Sequence, residues 1–336
     1  MVQEQGGAAG RIPLALVGCG QIGRFHAERI VADGRGQIVA LCDPLPANAA
    51  RLQAEFAPDA TRFPNVTELL AGSHIDAAVI CTPTNQHFEQ VRQFRERGVH
   101  VLCEKPLADA RERIVQLIED VRTGGPELAV AYQRRGWPVY RTLRREVQSG
   151  RHGPVRSLTA HVTERWRQTI AGTWRDDPAF NPGGYIGDAG SHKIDMVFYV
   201  TGLALREVFA HSDKRGMRVE IVTTLSARLE NDVALSMNFI GDSQHFREDF
   251  QVHCAEADLI YREGVLSIAR NNKIERIVEY ELESNPNAAF MDLLTGKSPN
   301  FAPASVALPV GDFTQAILES ARTGSVVRVK EKNSIG

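Results

Sequence analysis

Three groups of residues in this chain have the types and spacing to do chemistry. Asp188, His192 and Asp195 stand at i, i+4 and i+7 in GGYIGDAGSHKIDM, residues 183–196, which reads as a helix running into the apolar MVFYV. At about 3.6 residues per turn their side chains would stack along one face. A histidine in such a row can take or give a proton near neutral pH. The same pattern also suits a capped helix turning its charge to solvent, so what the row faces must decide. Asp195 can serve behind the row or only pair with a basic side chain, and Lys193 points about 100° away from His192. Lys105, in Glu104-Lys105-Pro106, follows the apolar run HVLC; an ammonium there can touch a reacting oxygen or pair with Glu104 at the surface. The third group is Gly18-Cys19-Gly20-Gln21-Ile22-Gly23, entered from LALV.

That G-x-G-x-x-G spacing is weak alone and strong in context. A strand-like run precedes it, a helical pattern follows, and Asp43 ends the next run, 20 residues beyond Gly23. Gly18 permits a tight turn, Gly20 lets backbone approach a pyrophosphate, and Gly23 allows close helix-to-strand packing. The helix start at Gln21 and Ile22 offers N–H groups and a positive dipole end. The chemistry implied is dinucleotide binding. Asp43 would accept from the adenosine ribose and repel a 2'-phosphate, favouring NAD over NADP; Arg51 reads as surface of the next helix. Two more run ends carry polar clusters, Thr82-Pro83-Thr84-Asn85-Gln86-His87 and Glu104-Lys105-Pro106. Ligands of open α/β sheets lie across the carboxyl ends of the strands. Thr82, Pro83, Asn85, His87, Glu104 and Lys105 are therefore candidate cofactor contacts, although His87 also suits the first turn of a helix.

The elements that must position these residues are readable from periodicity. IPLALV (12–17), QIVALC (37–42), DAAVIC (76–81), HVLC (100–103) and ELAVA (127–131) are continuously apolar, as strands buried on both faces are. Helical patterns lie between them near 22–33, 46–57, 85–97 and 109–122. This predicts an α/β fold, a doubly wound parallel sheet of the Rossmann kind over residues 1–131, with residues 1–11 a frayed tail. After residue 132 the texture changes. A helix, VYRTLRREVQSG, a strand-like VRSLTAHVTERW and an irregular tryptophan-rich stretch precede seven runs between 204 and 281. Those runs predict five to seven strands of an antiparallel sheet, with one face more solvated or used for association. With helices near 286–295 and 304–322, residues 132–336 are expected to form a second, α+β domain.

Composition narrows the partners. A chain of 336 residues with 43% hydrophobic and 24% charged content can bury about two cores. Its net charge of -2 is spread along the chain, without the basic block of a nucleic-acid binder. The amino terminus lacks a signal-like pattern and no run reaches the ~18 apolar residues of a membrane span, so a cytoplasmic location is expected. The five cysteines show no C-x-x-C pairing and suit packing; no histidine pair has ligand spacing, so no metal is expected. Between residues 166 and 184, Trp166, Arg167, Thr169, Trp174, Arg175, Asp176, Asp177 and Asn181 offer aromatic faces edged by hydrogen-bonding groups. That suits a sugar, or a loop anchored by its tryptophans. Trp166, Trp174 and Arg175 are the candidate substrate contacts.

In order, G-x-G-x-x-G, TPxxxH, Glu104-Lys105-Pro106 and Asp188-x-x-x-His192-x-x-Asp195 resemble the family of glucose-fructose oxidoreductase and inositol dehydrogenase, often called Gfo/Idh/MocA, from about residue 12 to 330. The resemblance implies an amino-terminal Rossmann domain, a carboxy-terminal domain with an open, mostly antiparallel sheet, and NAD(P)-linked oxidation or reduction of a carbinol on a sugar, sugar derivative or cyclitol, in a homodimer or homotetramer. Lys105, Asp188 and His192 match the family's lysine, aspartate and histidine, and Gln133-Arg134-Arg135 looks like its segment after the last Rossmann strand. On that basis His192 is the general base in oxidation and acid in reduction, Lys105 steadies the same oxygen, and Asp188 orients the imidazole or binds a neighbouring hydroxyl. Two alternatives use the same residues or fewer: a redox-neutral, NAD-dependent glycoside hydrolase or lyase, and a non-catalytic NAD-binding sensor.

Overall fold

The computed structural model describes residues 10–329, so the expected tail lies outside the described residues except for Gly10 and Arg11. In chain order the elements are β1 (Ile12–Val17), α1 (Gln21–Asp33), β2 (Gly36–Cys42), α2 (Pro46–Phe56), β3 (Thr61–Phe63), α3 (Val66–Gly72), β4 (Ala77–Ile80), α4 (Thr84–Glu96), β5 (His100–Cys103), α5 (Arg111–Arg122) and β6 (Leu128–Val130). Then come α6 (Pro138–Gln148), β7 (Val155–Thr163), α7 (Trp166–Ile170), α8 (Gly184–Gly187), α9 (Ser191–Thr201) and β8 (Leu205–Asp213). They are followed by β9 (Val222–Leu229), β10 (Ala234–Ile240), β11 (Arg247–Cys254), β12 (Asp258–Arg262), β13 (Val265–Arg270) and β14 (Lys273–Arg276). The last are α10 (Pro286–Leu294), α11 (Ala307–Thr323) and β15 (Val327–Arg328).

The chain packs as two compact units. Among the described residues the first takes 10–108, 116–131 and 286–304, and the second takes 109–115, 132–285 and 305–329. A single cut at 131/132 therefore does not describe the division. The chain re-enters the first unit through α10, whose Phe290 and Met291 are 1% exposed and sit in the core with Leu14, Leu16 and Leu102. Beyond α10, the Val130 amide donates to the Ala302 carbonyl.

The first unit is a six-stranded sheet in the order β3-β2-β1-β4-β5-β6, parallel throughout. Its central strands are buried on both faces, with Leu14, Ala15 and Leu16 of β1 at 0% exposure. Each such leucine contributes about 1.5–3 kcal/mol of burial, which is why continuous apolar runs mark these strands. The sequence reading lacked β3 and α3. β3 is a three-residue edge with its first two residues exposed, and α3 is seven residues long, started by Asn65, whose side chain accepts from the Glu68 amide. Neither is long or buried enough to leave a pattern. Strand order reverses between β1 and β4, so the crevice at their carboxyl ends is the switch point of this sheet.

The second unit carries nine strands in the order β14-β13-β12-β11-β7-β10-β9-β8-β15. All pairs are antiparallel except β7 with β10. On β7, β9 and β10 buried Leu158, Ala160, Leu225, Ala227, Leu235 and Met237 alternate with exposed Thr159, Thr224, Ser226 and Ser236. One face is thus apolar and the other polar. α11 packs on β8, and α9 lies between α11 and α6.

Candidate functional site

In the first unit the glycine loop is built as its spacing requires. Gly18 has φ 90°, and a Cβ there would lie 2.7 Å from the carbonyl carbon and oxygen of Cys81. A Cβ on Gly23 would lie 2.1 Å from the Gly18 carbonyl oxygen. Gly18 lets the turn close on the residues that follow β4, and Gly23 lets α1 close on the turn. Gly20 differs, since a Cβ there would meet nothing within 4 Å. It begins α1, which has no side-chain cap and no acidic residue in its first turn. The amides at Gln21, Ile22 and Gly23 have no preceding turn to donate to, and with the positive end of the helix dipole they suit a phosphate group.

Asp43, 8% exposed, stands beside this loop. One carboxylate oxygen accepts from the Cys19 amide at 2.8 Å, and the other accepts from the Leu45 amide at 2.9 Å and Asn48 Nδ2 at 3.2 Å. A carboxylate has about four acceptor positions, so one is left, on the oxygen that also holds the loop. Arg51 is not merely helix surface as expected: from α2 its Nη2 donates to the Cys19 carbonyl at 3.0 Å. A long side chain three residues after Asn48 shares its face of the helix and can reach back.

The two clusters after β4 and β5 are tied together. His87 is 1% exposed, with Nε2 2.8 Å from the Thr82 carbonyl and Nδ1 2.8 Å from the Pro106 carbonyl. Burial pushes its pKa down against the pull of those carbonyls. His87 is thus placed as a tether between the loops, not as the direct cofactor contact expected of it. Thr82 and Pro83 are half-buried and Asn85 is exposed; the Thr82 hydroxyl donates to Gln90 Oε1 at 2.6 Å. Glu104 accepts from the Lys105 amide at 3.1 Å and lies 3.1 Å from His26 Nε2. Burial alone would raise the Glu104 pKa, but the bond to His26 and the nearby charge of Lys105 hold it below its usual value. His26 Nδ1 in turn meets Asn287 Oδ1 at 3.0 Å. The sequence reading missed His26; its one signal is a histidine on the inward face of α1, between Gly23 and Ile30. Lys105 is half-buried and precedes a cis proline.

In the second unit the helix expected over 183–196 is broken. α8 ends at Gly187, Asp188 takes φ -91° and ψ -96°, and α9 starts at Ser191. Asp188 and His192 therefore do not lie on one continuous helix, because the Asp188 ψ leaves the helical region. The glycines here serve the chain's own packing: a Cβ on Gly184 would lie 2.5 Å from the Glu220 carbonyl oxygen, and one on Gly190 2.6 Å from Ile186 Cα. His192, 8% exposed, opens α9 with the Tyr132 ring edge-on to it, centroids 6.3 Å apart. Asp195 turns inward: at 0% exposure it takes a two-pronged bond from Arg135, 2.8 Å from Nε and 2.6 Å from Nη2. Lys193 is buried as well, 4% exposed, with Nζ 3.4 Å from the Ala189 carbonyl. Arg134 pairs with Glu248 at 2.8 Å and lies over the Trp137 ring.

The tryptophan-rich loop divides by burial. Trp166 is 5% exposed and packed on Tyr185, centroids 5.1 Å apart, so it anchors the loop and is not an open contact surface as expected. Trp174 is 43% exposed, with the Arg175 guanidinium 4.3 Å from its ring centroid, and Arg175 Nε donates to Asp188 Oδ2 at 2.9 Å. Asn181 Nδ2 holds the Arg175 carbonyl, while Asp176 and Asp177 accept from Arg218. An exposed aromatic face edged by a cation and a carboxylate is what remains open.

The chain is 28% identical over 198 residues to inositol 2-dehydrogenase of Rhizobium meliloti, covering 57% of this chain and 55% of that protein. It is likewise 28% identical over 201 residues to D-glucoside 3-dehydrogenase of Escherichia coli, covering 59% and 57%. The match thus spans little more than half the length of these curated relatives. The solved structure of the WlbA dehydrogenase from Bordetella pertussis, in complex with NADH and UDP-GlcNAcA, superposes with a TM-score of 0.81 at 23% identity, covering 96% of this chain and all of that one. At that identity the likeness is one of fold. Residues 12–132 match an oxidoreductase family with an NAD-binding Rossmann fold, residues 140–260 match its C-terminal domain, and the chain belongs to the Gfo/Idh/MocA family.

Proposed function

We propose that this chain is an NAD-dependent oxidoreductase that moves a hydride between nicotinamide and a secondary alcohol or ketone of a sugar, sugar derivative or cyclitol. The first unit takes the dinucleotide, and the second takes the substrate. The observation that carries the reading is the uncapped start of α1 at an open Gly20, beside Asp43 at the switch point of a parallel sheet. The activities named for the relatives, an inositol and a glucoside dehydrogenase, support the substrate class.

Gly18, Gly20, Gln21, Ile22 and Gly23 hold the pyrophosphate, and Asp43 takes a ribose hydroxyl, favouring NAD over NADP. Thr82, Pro83 and Asn85 line the same crevice, while His87 and Glu104 fix the loops that present it. The dinucleotide, when bound, supplies the hydride acceptor or donor. In oxidation His192 removes the proton from the substrate oxygen, and in reduction it returns it. Lys105 donates a hydrogen bond to that oxygen as negative charge builds on it. Asp188, with Arg175 and Trp174, binds neighbouring hydroxyls and a C–H face of the ring. The protein works in the cytoplasm, and the polar face of its nine-stranded sheet associates into a homodimer or homotetramer.

The experiment is a screen of sugars, sugar acids, inositols and anhydrosugars for NADH formation, repeated with His192→Ala. Loss of turnover with NADH affinity retained is the expected result, and unchanged turnover refutes the role of His192. Cleavage of a glycoside without net NADH would replace the dehydrogenase reading by the redox-neutral one.

A further inference from the structure

Asp43 is not the only charged group on the glycine loop. Three of its roughly four acceptor positions are taken inside the protein, by the Cys19 and Leu45 amides and the Asn48 side chain. Arg51 holds the other end of the same residue, through the Cys19 carbonyl. A carboxylate and a guanidinium thus grip the N–H and the C=O of the residue between Gly18 and Gly20. That bond uses one of the five guanidinium donors, and Arg51 is exposed. Among the described residues no carboxylate lies within ion-pair distance of Arg51. Glu55, one turn further along α2, is bonded to Arg24 and feels the Arg51 charge only at longer range.

We infer that Arg51 is a second determinant of cofactor choice, supplying the cation for a 2'-phosphate on the adenosine ribose, so that NADP(H) binds beside NAD(H) in spite of Asp43. The inference rests on the reading that the dinucleotide lies on this loop. A 2'-phosphate adds a charge between about -1.5 and -2, like other phosphomonoesters near neutral pH. Asp43 repels it, but that carboxylate is already dressed by three donors. Arg51 brings planar, paired donors suited to phosphate, from a position anchored to the loop itself. An arginine on solvent-facing helix surface without that anchor would sample many rotamers and offer the phosphate little.

The test is fluorescence titration of the full chain with NADH and with NADPH at low and high salt, repeated for Arg51→Ala, Arg51→Lys and Arg51→Glu. Arg51→Ala should weaken NADPH about tenfold or more and NADH less than about twofold. Arg51→Lys should keep part of the NADPH affinity and Arg51→Glu should lose the most. The NADPH affinity of the unaltered chain should also fall more steeply with salt than that for NADH, and Arg51→Ala should remove the difference. Retained NADH binding shows that the variants fold. An NADH-to-NADPH affinity ratio unmoved by Arg51→Ala overturns the inference, whether both affinities fall together, as for a residue that only pins the loop, or neither moves. NADH binding without NADPH binding in the unaltered chain overturns this inference alone. Failure of both nucleotides to bind overturns the site reading with it.

Discussion

Replacing Asp195 by alanine tests whether the inward-turned end of the sequence row is structural. Its carboxylate is 0% exposed, and the Arg135 guanidinium that it accepts from is 8% exposed on the side chain. Both Asp195 oxygens are bonded, at 2.8 and 2.6 Å, and the guanidinium also lies 4.9 Å from the Tyr199 ring centroid. Asp195→Ala removes the carboxylate that takes two bonds from this buried guanidinium. Breaking one side of such a pair costs about 3–5 kcal/mol. For a unit of this size each kcal/mol lowers the melting temperature by roughly 2–4 °C. A fall of about 6–20 °C in the transition of the second unit is expected, read by calorimetry. Leaving neither charge behind should recover most of the loss, because well-packed apolar residues can replace a buried pair at little cost. Arg135→Met with Asp195→Leu is therefore expected within about 1–2 kcal/mol of the unaltered chain. A single variant that melts within 2 °C of the parent would refute the reasoning, and so would a double variant no better than the single one.

Gly23→Ala places a methyl 2.1 Å from the Gly18 carbonyl oxygen, so the loop or α1 must shift; NADH affinity should fall at least about tenfold by fluorescence titration, and normal affinity would show that the loop yields freely. Asp43→Ala should weaken NADH more than NADPH, and it also strips an acceptor from the Cys19 and Leu45 amides at about 1–3 kcal/mol for each group left buried; an unaltered cofactor ratio would count against the ribose assignment. Burial holds the His87 pKa below its ordinary 6.5, so the folded chain keeps it neutral while the unfolded chain takes up a proton. Its contribution to stability is complete above about pH 6.5 and is lost as pH falls through the folded value. Urea unfolding between pH 7.5 and 5 should therefore lose less stability in His87→Gln than in the parent, and equal slopes would sink the assignment.

The parallel sheet was legible because strands covered on both faces must be apolar at every position. The glycine loop was legible because turn, helix and acid come within one βαβ unit. What escaped was short, exposed or distant. β3 shows two exposed residues of three, and α10 joins the first core from more than 150 residues beyond β6. The break at Asp188 escaped for a different reason: helical spacing counts residues and cannot see that one ψ leaves the helical region.

The site shows the same division. Residue types and short spacings alone pointed to a dinucleotide loop and an acid after the second long strand, while the part expected of the lysine at another strand end came from the family resemblance. They could not decide between Trp166 and Trp174, two tryptophans of one loop, of which the fold buried the first against Tyr185 and left the second open. Nor could they show that Asp195 turns inward to Arg135 while Arg51 reaches back to Cys19. Local backbone preferences are written in neighbouring residues. Burial and ion pairing depend on which distant side chain arrives within a few ångströms, and only the folded chain sets that.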